Sequence, residues 1–196
     1  RDSIQTIVIG DQITQIGRYA FPWTACSTIQ FGKSVRSIGA EAFSGCRNLN
    51  GDLTIPDSVQ TIGDSAFETC TGLTGTLTLG NGLQTIGFNA FYDCPFSGDL
   101  VIPDSVTMIG IQAFYCRPYF LPETQGTLTL GKNLRTIGES AFCESRYTGS
   151  LTIPDSVVEI GERAFYKCEN LNGTLTLGRS LRTIGKEAFY WCAFTG

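Results

Sequence analysis

The 196-residue chain contains no histidine, one methionine and two tryptophans, and only 16% of its residues are charged. Without histidine, the Ser-His and Cys-His catalytic pairs and the imidazole metal sites are excluded. The formal charge of −4 offers no basic surface, so we expect no nucleic-acid partner. No apolar run approaches the roughly 20 residues that a membrane helix needs, so no membrane span is expected.

The sequence does contain a repeat. The motif Ile-Gly-x-x-Ala-Phe occurs eight times, at intervals of 22 to 28 residues. We number units 1 to 8 by the phenylalanines Phe21, Phe43, Phe67, Phe91, Phe114, Phe142, Phe165 and Phe189. A single repeat array over residues 1–196 is predicted. No polar caps are recognisable, so we expect a piece of a longer array or a subunit that stacks on other copies.

Each unit follows the same plan, as in Leu53-Thr54-Ile55, the turn Pro56-Asp57-Ser58, and then Val59 and Ile62. Alternation at period two predicts a short strand with one buried face. One unit cannot bury its own apolar side chains, so the units must stack. The predicted fold is a leucine-rich-repeat type solenoid with a parallel β-sheet of short strands. We expect turns, single-turn helical segments around Ala-Phe, and eight rungs of about 23–24 residues.

Two types of unit alternate along the array. Units 3, 5 and 7 contain Ile-Pro-Asp-Ser-Val, whereas units 4, 6 and 8 contain Leu-Thr-Leu-Gly. We call these Pro-type and Gly-type units. The alternation brings opposite or neutral charges together at the turn, which favours a role in fixing the register of stacked units. This turn row is Asp57, Asn81, Asp104, Lys132, Asp155 and Arg179.

The stretches from Leu53 to Cys70 and from Leu151 to Cys168 both read Leu-Thr-Ile-Pro-Asp-Ser-Val-x-x-Ile-Gly-x-x-Ala-Phe-x-x-Cys. This pattern resembles the BspA-like, or treponemal-type, leucine-rich repeat, and the resemblance covers essentially the whole chain. It implies a curved solenoid with a parallel sheet on its concave side. It also implies a secreted or cell-surface protein used in adhesion or recognition. The family has no shared catalytic residues to transfer.

Eight cysteines occur, one in each unit, and five of them follow the phenylalanine by three residues. Equivalent positions stack into a column, so we expect buried free thiols that fill space. Cys116 and Cys143 lie out of this register, and they are the best candidates for an exception. Because Cys-x-x-Cys pairs are absent, no zinc site or other metal site is expected.

The first candidate binding surface is the outward row of the opening strands. Its predicted contact residues are Thr54, Thr78, Thr129, Thr152 and Thr176. Threonine is also an ordinary residue of solvated strands, so a purely structural role is an alternative. Thr-x-Thr pairs such as Thr76/Thr78 resemble the ice-binding rows of solenoid antifreeze proteins, although Asp52 and Asp99 interrupt them.

Two further surfaces are rich in aromatic residues. The 28-residue interval inserts Arg117 to Gln125 into unit 5, and its Tyr119 and Phe120 are candidate contacts. The position after Ala-Phe supplies the other candidates, Tyr92, Tyr115, Tyr166 and Tyr190. In both cases the aromatic side chains could instead cover the edge of the core. One glycosylation sequon, at Asn172, is a possible modification site.

Three functions are compared. Catalysis needs converging acid, base or nucleophile groups, and the carboxylates are spread along the array, so neither an enzyme nor a cofactor is expected. The favoured function is an extracellular or cell-surface recognition or adhesion module for a protein or glycan partner. The alternative is a structural subunit that stacks head to tail into a filament. Ice binding is a weaker alternative.

Overall fold

The computed structural model describes residues 5–117, 119–120, 122 and 125–195. Each unit contributes an opening strand and a second strand. The opening strands are β1 (Thr6–Val8), β3 (Thr28–Gln30), β5 (Leu53–Thr54), β7 (Leu77–Thr78), β9 (Leu100–Val101), β11 (Leu128–Thr129), β13 (Leu151–Thr152) and β15 (Leu175–Thr176). The second strands are β2 (Gln15–Ile16), β4 (Ser37–Ile38), β6 (Thr61–Ile62), β8 (Thr85–Ile86), β10 (Met108–Ile109), β12 (Thr136–Ile137), β14 (Glu159–Ile160) and β16 (Thr183–Ile184).

The two kinds of strand form different sheets. The second strands make one continuous parallel sheet of eight strands in chain order. Eight strands enclose seven complete turns of a parallel β-solenoid, so eight complete rungs are not confirmed. The opening strands pair only two by two, β1 with β3, β5 with β7, β9 with β11 and β13 with β15. In the last three pairs a Pro-type unit is joined to the Gly-type unit that follows it.

The single-turn helical segments expected around Ala-Phe are not confirmed, because the described residues contain no helix and hence no membrane-spanning helix. Two successive tight turns replace them. In unit 2, the N–H of Ala42 donates to the carbonyl of Gly39 and that of Cys46 to the carbonyl of Phe43, each at 3.2 Å. The third residues of these turns, Glu41 and Gly45, have positive φ, as in type II turns.

The core consists of stacked columns, as predicted. The eight phenylalanine rings of the Ala-Phe pairs lie one above another, with neighbouring centroids 5.2–5.4 Å apart and ring planes within 16° of parallel. The backbone also bonds from unit to unit here, since the N–H of Phe43 donates to the carbonyl of Ala66 at 2.8 Å. A Cβ on Gly63 would lie 2.7 Å from the backbone nitrogen of Ala40, so this corner requires glycine.

The turn row ties each Pro-type unit to the Gly-type unit after it. Asp57 accepts a hydrogen bond from the backbone N–H of Asn81 at 2.7 Å, and Asp104 accepts one from Lys132 at 2.9 Å. Asp104 also forms an ion pair with the Lys132 ammonium group. The carboxylate thus satisfies a turn N–H that would otherwise face water, and it fixes the register of the two units.

Candidate functional site

The five predicted threonines are all exposed on the opening strands, and the breaks between strand pairs give this face its shape. Between units 6 and 7, a cleft of about 640 Å³ is lined by Thr129, Thr152 and Thr176. Thr54 lines a cleft of about 510 Å³ between units 2 and 3, and Thr78 lines one of about 180 Å³ between units 4 and 5. The threonine face is therefore a series of shallow clefts.

The same face is a poor match to an ice lattice. The hydroxyl of Thr76 donates to Asp52 at 3.0 Å, and that of Thr127 donates to Asp99 at 2.9 Å. The backbone N–H groups of the two threonines bond to the same carboxylates, which lowers the pKa of both aspartates. These two hydroxyls, which belong to Thr-x-Thr pairs, are therefore engaged within the protein.

The tyrosines that follow Ala-Phe form two pairs of neighbouring rings, one tilted by 36° and one stacked. The rings of Tyr92 and Tyr115 are 5.3 Å apart, and those of Tyr166 and Tyr190 are 5.7 Å apart. Tyr190 is exposed, whereas the other three are half-buried. Burial raises the pKa of Tyr115 to about 12, and the nearby Glu144 carboxylate adds to the shift. Each pair therefore joins neighbouring units, and Tyr190 is the most exposed of the four tyrosines.

The insertion in unit 5 is anchored by an ion pair. Asp93 is fully buried, and its carboxylate accepts hydrogen bonds from both the backbone N–H and the guanidinium of Arg117. The guanidinium carbon also lies 5.3 Å from the ring centre of Tyr119 and 5.2 Å from that of Phe120. Tyr119 is 69% exposed. The anchor thus holds two predicted contact residues at the surface, while residues 118, 121, 123 and 124 of the insertion lie outside the described residues.

The insertion is also fixed at its far end. The buried side chain of Gln125 donates to the carbonyl of Phe96 at 3.1 Å and accepts from the backbone N–H of Arg146 at 2.8 Å. Arg146 in turn donates from its guanidinium to the carbonyl of Pro122 at 2.9 Å. Burial raises the pKa of Tyr92, and the neighbouring Asp93 carboxylate adds to the shift. Asp93, which binds Arg117, directly follows Tyr92 in the chain, so the anchor of the insertion adjoins the first tyrosine pair.

All eight cysteines are free thiols, seven of them buried and Cys192 partly exposed. The out-of-register Cys116 and Cys143 are buried like the rest, and burial raises the pKa of each thiol to about 12. Within the described residues, no group of three or more cysteines and carboxylates is arranged to hold a metal ion.

A family model described as the BspA type leucine-rich repeat region matches residues 1–119 and 119–195, in six copies. The chain belongs to the BspA-type leucine-rich repeat family. Structural neighbours share its fold. A leucine-rich repeat protein from Bacteroides ovatus superposes with a TM-score of 0.60 and 22% identity, over 97% of this chain and 65% of that protein. This BspA-type chain therefore spans 65% of the length of that relative.

The pneumococcal vaccine antigen PcpA superposes with a TM-score of 0.52 and 17% identity, over 99% of this chain and 69% of that one. At these identities the likeness concerns the solenoid fold. No curated protein sequence matches the chain.

One surface of this BspA-type array was missed from the sequence. The continuous sheet of second strands presents an outward row that includes Met108, and the corner after each Ile-Gly presents another that includes Phe88 and Ile111. These three large apolar side chains are 43–44% exposed. A comparison of like units could have found them, because units 3 and 7 carry polar residues at the positions of Met108 and Ile111.

Proposed function

We propose that the chain is a non-catalytic, extracellular or cell-surface module for recognition and adhesion, which presents its solenoid surface to a protein or glycan. The observation that carries this proposal is the anchored insertion of unit 5. A buried carboxylate, Asp93, fixes Arg117, and the Arg117 guanidinium lies over the rings of Tyr119 and Phe120. Aromatic side chains with a polar tip, held rigidly at a surface, are typical contact residues of interfaces.

An extracellular setting is supported by the BspA-type resemblance, and the placement of the thiols is compatible with it. The column thiols of units 2, 3, 4 and 7 are fully or almost fully buried. Oxidants react with accessible thiolates, so thiols buried in this way persist in an oxidising environment. In this proposal the clefts lined by Thr54, Thr78, Thr129, Thr152 and Thr176 form a second contact face. Tyr166 and Tyr190 add to the aromatic contact residues of the insertion. The exposed Asn172 is a site for a glycan attached to the protein itself.

The test is binding of the purified chain to arrays of extracellular matrix proteins and of glycans. We expect at least one ligand, with affinity lowered about tenfold or more in the double variant Tyr115→Ala/Tyr119→Ala. The matched control is Tyr19→Ala, which removes an exposed tyrosine of unit 1, far from the insertion. The proposal fails if neither array gives a ligand, or if the control and the double variant bind equally well.

Head-to-tail stacking of copies into a filament is the second candidate. In unit 8, Leu177 and Ile184 are 44% and 48% exposed, whereas their unit 6 equivalents Leu130 and Ile137 are 8% and 0% exposed. A second copy or a further unit of the array would cover these side chains equally well. Sedimentation at high protein concentration tests the idea. A strict monomer excludes it, and association that Ile184→Lys abolishes supports it.

A further inference from the structure

Between Asp99 and Phe114, unit 5 departs from the other Pro-type units only at side chains that leave the core. Its inward residues Ile102, Val106 and Ile109 are buried, as are the matching residues of units 3 and 7. Its outward residues differ. On the second strand, Met108 replaces Thr61 and Glu159, and at the corner Ile111 replaces Asp64 and Glu162. Packing of the core therefore does not account for the apolar side chains on the outside of unit 5.

The corner of unit 5 adjoins the corner of unit 4, which is also apolar. Phe88 occupies the same corner position as Ile111, and the N–H of Asn89 donates to the carbonyl of Ile111 at 2.9 Å, so the two corners are adjacent. Met108 pairs in register with Thr85 of unit 4. We call Phe88, Met108 and Ile111 the corner patch. Contiguous exposed apolar side chains in the middle of an array mark an interaction site more often than scattered ones do.

The charges around the corner patch have one predominant sign. Along the corner row, Asp64 of unit 3 precedes the patch and Glu139 of unit 6 follows it, whereas Glu162 of unit 7 forms an ion pair with Arg163 at 3.9 Å. Asp64 is exposed and accepts a hydrogen bond from the N–H of Phe88 at 2.9 Å, which places this carboxylate at the edge of the patch. Arg135, beside Thr107 across the next strand, offsets only part of this charge. The rim therefore favours a cationic partner.

We propose that the corner patch binds a polypeptide segment in which a large apolar side chain lies between lysine or arginine residues. The apolar side chain covers Phe88, Met108 and Ile111, and the cations meet Asp64 and Glu139. This inference rests on the proposed recognition function, and it assigns a protein ligand to a surface separate from the insertion. A rigid sheet face loses little conformational freedom on binding, so the apolar contact can provide most of the affinity.

The repeats themselves supply a variant for the test. Met108→Thr/Ile111→Ala gives unit 5 the uncharged outward residues of other units, Thr61 of unit 3 and Ala40 of unit 2, which the same fold already accommodates. The matched control Val101→Thr makes the equivalent exchange on the opening strand, where unit 7 carries Thr152. The probe is a displayed library of random dodecapeptides selected on the immobilised chain, followed by fluorescence polarisation with the selected peptides. Circular dichroism verifies that both variants are folded.

We expect the selected peptides to be enriched in lysine or arginine flanking a leucine or an aromatic residue. Their affinity should fall about tenfold or more in the double variant and stay within about twofold in Val101→Thr. Enrichment of acidic or uncharged peptides, or equal binding by both variants, overturns the inference. Self-association of the chain that the double variant abolishes also overturns it, because the occupant is then a second copy. A matrix or glycan ligand that the double variant still binds leaves the proposed function intact and refutes only the corner patch.

Discussion

The thiol of Cys70 donates a hydrogen bond to the carbonyl oxygen of Phe43, 3.2 Å away in the preceding unit. The same oxygen accepts the turn hydrogen bond from the backbone N–H of Cys46. The thiol therefore occupies the second lone pair of a carbonyl buried at the edge of the core. The contact recurs for the pairs Cys46–Phe21, Cys94–Phe67, Cys168–Phe142 and Cys192–Phe165.

This contact predicts how the column tolerates substitution. Cys70→Ala should lower the free energy of unfolding by about 1–2 kcal/mol, because it removes both a donor and buried volume. Cys70→Ser should cost less, since Ser145 already occupies the equivalent position in unit 6, with its hydroxyl 3.2 Å from the sulfur of Cys168. Urea unfolding followed by circular dichroism measures both. If the serine variant were no more stable than the alanine variant, the hydrogen bond from this side chain to the Phe43 carbonyl would contribute nothing to stability.

The phenylalanine column predicts a dependence on position along the array. Phe91 is almost fully buried and stacks on Phe67 and Phe114, with centroids 5.4 and 5.3 Å away. Phe91→Ala should lower the free energy of unfolding by about 3–5 kcal/mol through an internal cavity. Phe189 of unit 8 is only half-buried. Phe189→Ala should therefore lower the free energy of unfolding clearly less, because the neighbouring structure can relax. Equal losses at the two positions would be inconsistent with units that stack in line.

The columns could be predicted from the sequence because their residues recur at fixed offsets. The Ala-Phe segment could not, because its apolar spacing is also that of one helical turn. What distinguishes the observed turns from a helix is a positive φ at residues such as Gln112 and Ser140. Glycine would have indicated a positive φ in the sequence, but these residues are glutamine and serine. The corner patch was missed for another reason. Met108 and Ile111 are apolar, and only their exposure separates them from core residues.

Replacement of Gln112 separates the turn geometry from a helical one. Its φ is 54°, a conformation that costs a residue with a Cβ about 1–2 kcal/mol. Gln112→Gly should therefore leave the free energy of unfolding unchanged or raise it by up to about 1 kcal/mol, whereas glycine within a helix would lower it by about 1 kcal/mol. Gln112→Val should be clearly destabilising because a β-branched side chain tolerates positive φ poorly. Thermal and urea unfolding of the two variants, compared with the parent chain, provide the measurement.

The buried thiols predict a loss of stability in alkali. Burial raises the pKa of the Cys46, Cys116 and Cys143 thiols to about 12. In the unfolded chain these thiols titrate near pH 9, so above that pH the unfolded state has released protons that the folded state still holds. The free energy of unfolding is therefore unaffected below about pH 8 and falls as the pH rises from about 9 to 12.

The slope of that fall distinguishes one thiol from another. Each thiol contributes up to about 1.4 kcal/mol per pH unit in this window, so Cys46→Ser should make the decline less steep whatever it does to stability at neutral pH. Cys192→Ser is the matched control, because the neighbouring Cys168 side chain lowers the pKa of the Cys192 thiol instead of raising it. Removing Cys192 should leave the alkaline slope as steep as before. Urea midpoints measured at half-unit intervals of pH provide the comparison, and identical slopes for the Cys46 variant and the parent chain would show that the Cys46 thiol titrates normally in the folded protein.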